Sequence, residues 1–131
     1  MVIMYMIFSM KLNNVINRIK SINSNIKFIG QFDENNRRTG YWEDYFDNGN
    51  LREKGNYKNG KEDGYWEYYY SDGKIKKKGN YLDGKQDGYW LFYWKNASLK
   101  MCGTFKNNKM LNDFLFYKTN GKLVNNFSQY Y

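Results

Sequence analysis

The sequence predicts an all-β protein: an elongated, single antiparallel meander sheet of 24-residue hairpin repeats, preceded by a short helix. Three observations carry that prediction. The stretch Gly40 to Asp63, GYWEDYFDNGNLREKGNYKNGKED, runs directly into GYWEYYYSDGKIKKKGNYLDGKQD from Gly64, and 13 of the 24 positions are identical. A fixed period of that length marks stacked supersecondary units. Asn-Gly and Asp-Gly recur at locked places, which is turn chemistry between short strands. The 131 residues include 12 glycines and no proline, which suits a hydrogen-bonded ladder in which proline would delete a donor.

The first ten residues, MVIMYMIFSM, form an apolar run with no basic residue before it. It falls short of the ~20 residues a membrane helix needs, and neither the basic start nor the cleavage site of a signal peptide is evident. It reads as a buried edge element, a degenerate signal or anchor, or the consequence of a start that belongs at Met10. A cytoplasmic location is expected, with membrane association or export through residues 1–10 as the alternative.

From Lys11 to Ser24 the residues Leu12, Val15, Ile16, Ile19 and Ile22 recur at spacings of three and four among Lys11, Asn14, Arg18 and Lys20. That is one basic amphipathic helix. In a chain otherwise of sheet it is expected to cover an open end or face; its other use is to lie on an anionic membrane. Residues 1–25 are thereby set apart from a repeat domain, 26–131. The domain divides into a partial copy 26–39, copies 40–63, 64–87 and 88–111, and a capping copy 112–131.

Ile26 to Phe32 supplies the second strand of the partial copy, with Gly30 and Phe32 where Gly55 and Tyr57 stand later. The connection after it, DENNRRT, is one residue longer than its later equivalents. Each full copy then reads strand, tight turn, strand, tight turn. Two-residue type I′ loops are expected at Asn48-Gly49, Asn59-Gly60, Asp72-Gly73 and Asp83-Gly84, because both central residues of that turn take positive φ.

With Asn48-Gly49 as the loop, Phe46 falls opposite Leu51, Tyr45 opposite Arg52, Glu43 opposite Lys54 and Trp42 opposite Gly55. The next copy sets Tyr70 opposite Ile75, Tyr69 opposite Lys76, Glu67 opposite Lys78 and Trp66 opposite Gly79; continuing through Asn59-Gly60 puts Trp66 opposite Glu53. Each indole of Trp42, Trp66 and Trp90 is expected to rest on the glycine facing it, Gly55, Gly79 or Gly103, covering backbone that glycine leaves bare. Glu with Lys, and Tyr with Arg or Lys, make favourable cross-strand pairs.

One face therefore carries Trp42, Trp66, Trp90 and Phe114 with Phe46, Tyr70, Trp94, Tyr68, Phe92 and Phe116, and should be the core. The other carries Tyr45, Tyr69, Tyr93 and Tyr117, flanked by Arg52, Lys76 and Lys100, with Glu43 and Glu67 beside Lys54 and Lys78; it should be wet. Asp44 opposite Glu53 interrupts the core face, so that end is expected to be open to solvent. At the other end Leu91, Cys102 and Leu115 replace charges on the wet face, which predicts a cover there. The last copy has Asn112, Asp113 and Phe114 for Gly, Tyr and Trp, the atypical form of a terminal repeat.

Charge and composition bound the function. The net charge of +8 and a pI near 9.4 allow an acidic protein, nucleic acid or an anionic membrane as partner. There is no histidine and one cysteine, Cys102, which removes the commonest general base and metal ligand and excludes an intrachain disulfide. No nucleophile motif surrounds a serine or Cys102, Asp63, Asp83 and Asp87 lack the spacing of a calcium loop, and the glycines never gather before a helix. The chain reads as a non-enzyme with no catalytic residue, metal or cofactor site. What remains is surface: the tyrosine row with Arg52, Lys76 and Lys100 is the candidate binding face, suited to another protein. Single-strand nucleic-acid binding is the weaker reading, since Glu43 and Glu67 dilute the field.

With G-Y-W-x-x-Y-x-x-x-G followed by G-N-Y-x-x-G-K-x-D-G, the sequence resembles the MORN-repeat family from Phe28 to about Phe127. The resemblance is to the variant met in antitoxin-like bacterial proteins and in some large DNA viruses. It implies a twisted single sheet of hairpins and roles in protein contact, scaffolding, phosphoinositide or membrane association, or toxin neutralisation. The residues it carries over are structural: turn glycines Gly49, Gly60, Gly73, Gly84 and Gly121, the repeat-opening Gly40, Gly64 and Gly88, and Trp42, Trp66 and Trp90. Ala97 and Asn108 stand where the pattern has glycine, so the third copy's turns are expected to depart.

Overall fold

The computed structural model describes residues 27–124. Among them every strand joins one antiparallel sheet and no helix occurs. The apolar run, the helix expected over Lys11 to Ser24 and the end of the capping copy lie outside the described residues. The strands are β1 (Phe28–Phe32), β2 (Arg38–Tyr45), β3 (Leu51–Lys58), β4 (Lys61–Tyr69), β5 (Ile75–Leu82), β6 (Lys85–Gln86), β7 (Gly88–Tyr93), β8 (Leu99–Lys106), β9 (Lys109–Met110) and β10 (Leu115–Phe116). Neighbours in the sheet are neighbours in the chain, with β6 and β9 as short returns on β5 and β8. It is a meander.

Two kinds of turn alternate along it. At Asn59-Gly60 (φ 52° and 76°) and Asp83-Gly84 (φ 50° and 77°) both central residues are left-handed, as a type I′ loop requires. Asn107-Asn108 adopts the same form, φ 49° and 67°, without a glycine. Asparagine tolerates that region better than most residues. Each tip also donates back to the preceding hairpin: Gly60 N–H to Arg38 O at 3.1 Å, Gly84 N–H to Glu62 O at 2.9 Å, Asn108 N–H to Gln86 O at 3.0 Å.

The other turns depart from the expected two-residue loop. Phe46 N–H bonds Asn50 O at 2.8 Å and Gly49 N–H bonds Phe46 O at 2.9 Å, and of the loop residues Asp47, Asn48 and Gly49 only Gly49 has positive φ, 84°. This is a three-residue loop closed by a left-handed residue. The Asn48 carboxamide accepts the Asn50 N–H at 3.0 Å, and Asp72, Asn96 and Asn120 repeat that bond. In the third copy Ala97 takes the left-handed place at φ 68°. Its turns therefore keep the shape of the others, contrary to expectation.

The longer loop moves the pairing by one residue. Tyr45 faces Leu51, Tyr69 faces Ile75 and Tyr93 faces Leu99; then Arg52, Lys76 and Lys100 are left unpaired in bulges, after which Asp44 faces Glu53 and Trp42 faces Gly55 as expected. A one-residue slip sends side chains to the opposite face. The expected pairs Tyr45 with Arg52, Tyr69 with Lys76, Phe46 with Leu51 and Tyr70 with Ile75 do not form.

A second bulge adds two residues at each repeat-opening glycine. Asn56 pairs with Asp63 and Lys54 with Glu67, so the chain around Gly64, φ 79°, bows out against Gly55. Tyr68, not Trp66, consequently faces Glu53. An offset of two preserves the face, so the indole stays on the core side.

That bow also decides where the rings go. Trp42, Trp66, Trp90 and Phe114 are buried, but they cover Gly30, Gly55, Gly79 and Gly103, each on the strand before, rather than the glycine paired ahead. A methyl group at any of these glycines would fall inside the ring above it. The indole N–H groups anchor to the adjacent backbone: Trp42 to Gln31 O at 3.1 Å, Trp66 to Asn56 O at 3.1 Å and Trp90 to Asn80 O at 3.0 Å. Between them stand Phe32, Tyr57, Tyr81 and Phe105, so that eight rings meet edge to face in file, with centroids 4.9 to 6.3 Å apart. Each such contact adds about 0.5 to 1.5 kcal/mol to the burial itself.

Candidate interaction faces

On the tyrosine-bearing face the side chains are tied together locally. Tyr41 donates to one oxygen of Glu43 at 2.8 Å and Tyr45 to the other. Tyr65 and Tyr69 hold Glu67 in the same way at 3.2 and 2.5 Å, and Lys54 completes the group with an ion pair to Glu67 at 2.9 Å. Burial and the bond to Glu43 push the Tyr41 phenol up to about 12. Burial alone would raise Glu67, but the bonds from Tyr69 and Lys54 hold it below the ordinary carboxylate value.

Of the predicted binding residues, Tyr45, Tyr69, Tyr93 and Tyr117 share this face, while Arg52, Lys76 and Lys100 turn away from it. Arg52 Nη2 lies 3.8 Å from Asp44, Lys76 sits 5.7 Å from the Tyr70 ring and Lys100 4.5 Å from the Trp94 ring. The cations over the tyrosine row are Lys54, 5.9 Å from Tyr69, and Lys78, 6.0 Å from Tyr93. Both were already assigned to this face as partners of the glutamates.

Following direct pairs across the sheet gives one row on the tyrosine face: Ile29, Glu43, Lys54, Glu67, Lys78, Leu91, Cys102 and Leu115. Charges alternate to Lys78 and stop. Cys102 is buried and Leu91 half-buried, but Leu115 is 45% exposed and the neighbouring Tyr89 52%. Among the described residues, the cover expected at this end is incomplete.

The matching row on the core face is Phe28, Asp44, Glu53, Tyr68, Lys77, Phe92, Met101 and Phe116. Its first charged residue is not open to solvent: Asp44 is only 4% exposed. The repeat-opening bow brings Arg38 back over it, Nη1 3.0 Å from Asp44 Oδ2 and 3.2 Å from the Tyr57 hydroxyl, with the guanidinium 4.4 Å from the Trp42 ring centre. Glu53, paired with Asp44 across the strands, is half-buried; burial and the Asp44 charge push its carboxyl up. Lys77 lies 4.2 Å from the Tyr68 ring, and burial lowers its ammonium pKa. Sequence reasoning missed this cluster. Arg38, two residues before the repeat glycine where later copies have Glu62 and Gln86, was the available signal.

Because the sheet follows the chain, charge is also sorted along it. Residues 27–73 hold seven Lys and Arg against ten Asp and Glu, net −3, whereas residues 74–124 hold eleven lysines against three aspartates, net +8. Cations of the first half are largely spoken for, by Asp33, Asp44, Asp47, Glu67 and Asp83. In the second half Lys76, Lys77, Lys78, Lys95 and Lys100 lie against rings instead. Chemically, the molecule presents aromatic surfaces of two electrical characters.

Comparison with known families finds the MORN repeat variant, matched over residues 38–59 and 62–83, about a third of the chain. Repeats of this kind are generally non-catalytic modules that engage proteins or membranes. No curated protein matches the sequence.

Proposed function

We propose that this protein is a non-enzymatic scaffold whose rigid sheet holds another protein. The supporting observation is the pairing of a fixed aromatic file, which makes the sheet stiff, with a second half in which Lys76, Lys77, Lys78, Lys95 and Lys100 lie against rings, while Lys74 and Lys106 pair with Asp72 and Asp87. Rigid aromatic side chains flanked by cations are what protein interfaces are enriched in. Scaffolding and antitoxin-like neutralisation, the two roles suggested by the family likeness, both reduce to this act of holding. The test is affinity capture by the tagged full chain from its native source, with the retained proteins identified. One protein enriched in near-stoichiometric yield supports the reading, and an eluate no different from a tag-only control sinks it.

A membrane-peripheral role is the second reading, favoured by the basic pattern of residues 11–24 and by the same lysines. Anionic lipid attracts such groups at about 1 kcal/mol per cation. Flotation with phosphatidylserine vesicles, with and without residues 1–24, decides it: binding lost on truncation supports the membrane, and no binding in either form removes it.

A further inference from the structure

The tyrosine face changes character after β5, and what lies there selects a class of partner. Leu91, Cys102 and Leu115 replace the alternating charges of the transverse row, and Leu123, facing Tyr117, extends the apolar area to the open edge. Leu115, Leu123 and Tyr89 are exposed. An exposed apolar patch rimmed by polar groups marks an interaction site.

Resting on the protein-binding reading above, we infer that the patch formed by Tyr89, Leu91, Tyr93, Leu115 and Leu123, bordered by Lys78, docks an acidic protein segment that carries apolar side chains. Charge selects among the occupants. The half-sheet around the patch carries +8, so a second copy docked through the same surface would set like charge against like. Residues 1–26 of the chain are no better matched, since they contain Lys11, Arg18 and Lys20 and no acid. Their charge complements the other half, which carries −3. Lys78 lies on the same row, 6.0 Å from the Tyr93 ring, and no carboxylate within ion-pair distance of it occurs among the described residues. Aliphatic side chains at the centre favour a protein over nucleic acid, which would be met by stacking rings.

The test uses the full chain and fluorescence anisotropy with labelled 14-residue peptides of alternating Glu and Leu, Glu and Ser, or Lys and Leu, beside a 20-nucleotide single strand of DNA and phosphatidylserine vesicles. The Glu/Leu peptide is expected to bind at least about tenfold more tightly than any other probe, which corresponds to ~1.4 kcal/mol. Leu115→Ser, at an exposed site that leaves the fold intact, should weaken it about tenfold. Lys78→Gln should weaken it about threefold, and Lys54→Gln, on the same row in the neutralised half, should leave it unchanged. Equal binding of the Glu/Leu and Glu/Ser peptides, equal loss from Lys54→Gln, or tighter binding of DNA or vesicles overturns the assignment. So does a native partner whose cross-links map only to residues 27–69, a result that leaves the scaffold reading standing.

Discussion

From β2 to β5 the two transverse rows read Glu43, Lys54, Glu67, Lys78 on one face and Asp44, Glu53, Tyr68, Lys77 on the other. From β7 to β10 they read Leu91, Cys102, Leu115 and Phe92, Met101, Phe116. The backbone beneath is the same in both regions, with the same loops, the same bulges and a ring over each strand glycine. Turn residues, the covered glycine and the covering ring specify the sheet, and the rows between them are left open. One region uses them to pair charge against charge, and the other leaves apolar surface exposed and positive charge in excess.

The sharpest way to break that comparison is to remove a ring. Trp90→Ala should cost about 3 to 5 kcal/mol in urea unfolding, and Phe114→Ala should sit at the lower end, because phenylalanine has no N–H to anchor. Equal effects at exposed Tyr89 would refute the shared scaffold. Next come the glycines. Gly79→Ala, which forces Trp90 from its seat, should lose about 1 to 3 kcal/mol or more. Asp44→Ala should cost about 1.5 to 3 kcal/mol by leaving Arg38 without its charged hydrogen bond, whereas Phe92, in the equivalent place, has no such bond to lose. Ala97→Gly should raise stability by about 1 kcal/mol through relief of left-handed strain, while Gly73→Ala at the matching site, φ 89° with open space around it, should lower it by about as much.

The smallest effect is a pH dependence of opposite sign at two glutamates of the first region. Glu53 has a higher pKa folded than unfolded, so its protonated form favours folding and that contribution is lost as pH rises through the folded value. Glu67 is held low, so its contribution is present above the ordinary carboxylate range and lost on acidification. Glu53→Gln should therefore stabilise at neutral pH and Glu67→Gln destabilise, each by less than about 1 kcal/mol, with both differences fading toward pH 4. Thermal melts across that range read the sign.

The sheet, its strand order and its core face were legible because the repeat text locks glycine, tryptophan and turn residues to a period whose face assignment survives an offset of two. The tip register was not, since Asp-Asn-Gly serves a two-residue or a three-residue loop. The recurring Asn48, Asp72, Asn96 and Asn120, each bonding the N–H two residues on, was the cue for the longer one. That single residue is why Arg52, Lys76 and Lys100 left the predicted binding face. The seat of each indole was hidden for another reason: pairing tells which residues are opposite, and the bow at the repeat glycine tells which way a ring leans.

Each ring lies over a glycine of the hairpin before it. A nascent chain leaving the ribosome thus always finds the seat for its newest indole already made, and the sheet can grow in one direction, from the amino end, without waiting for what has yet to be translated.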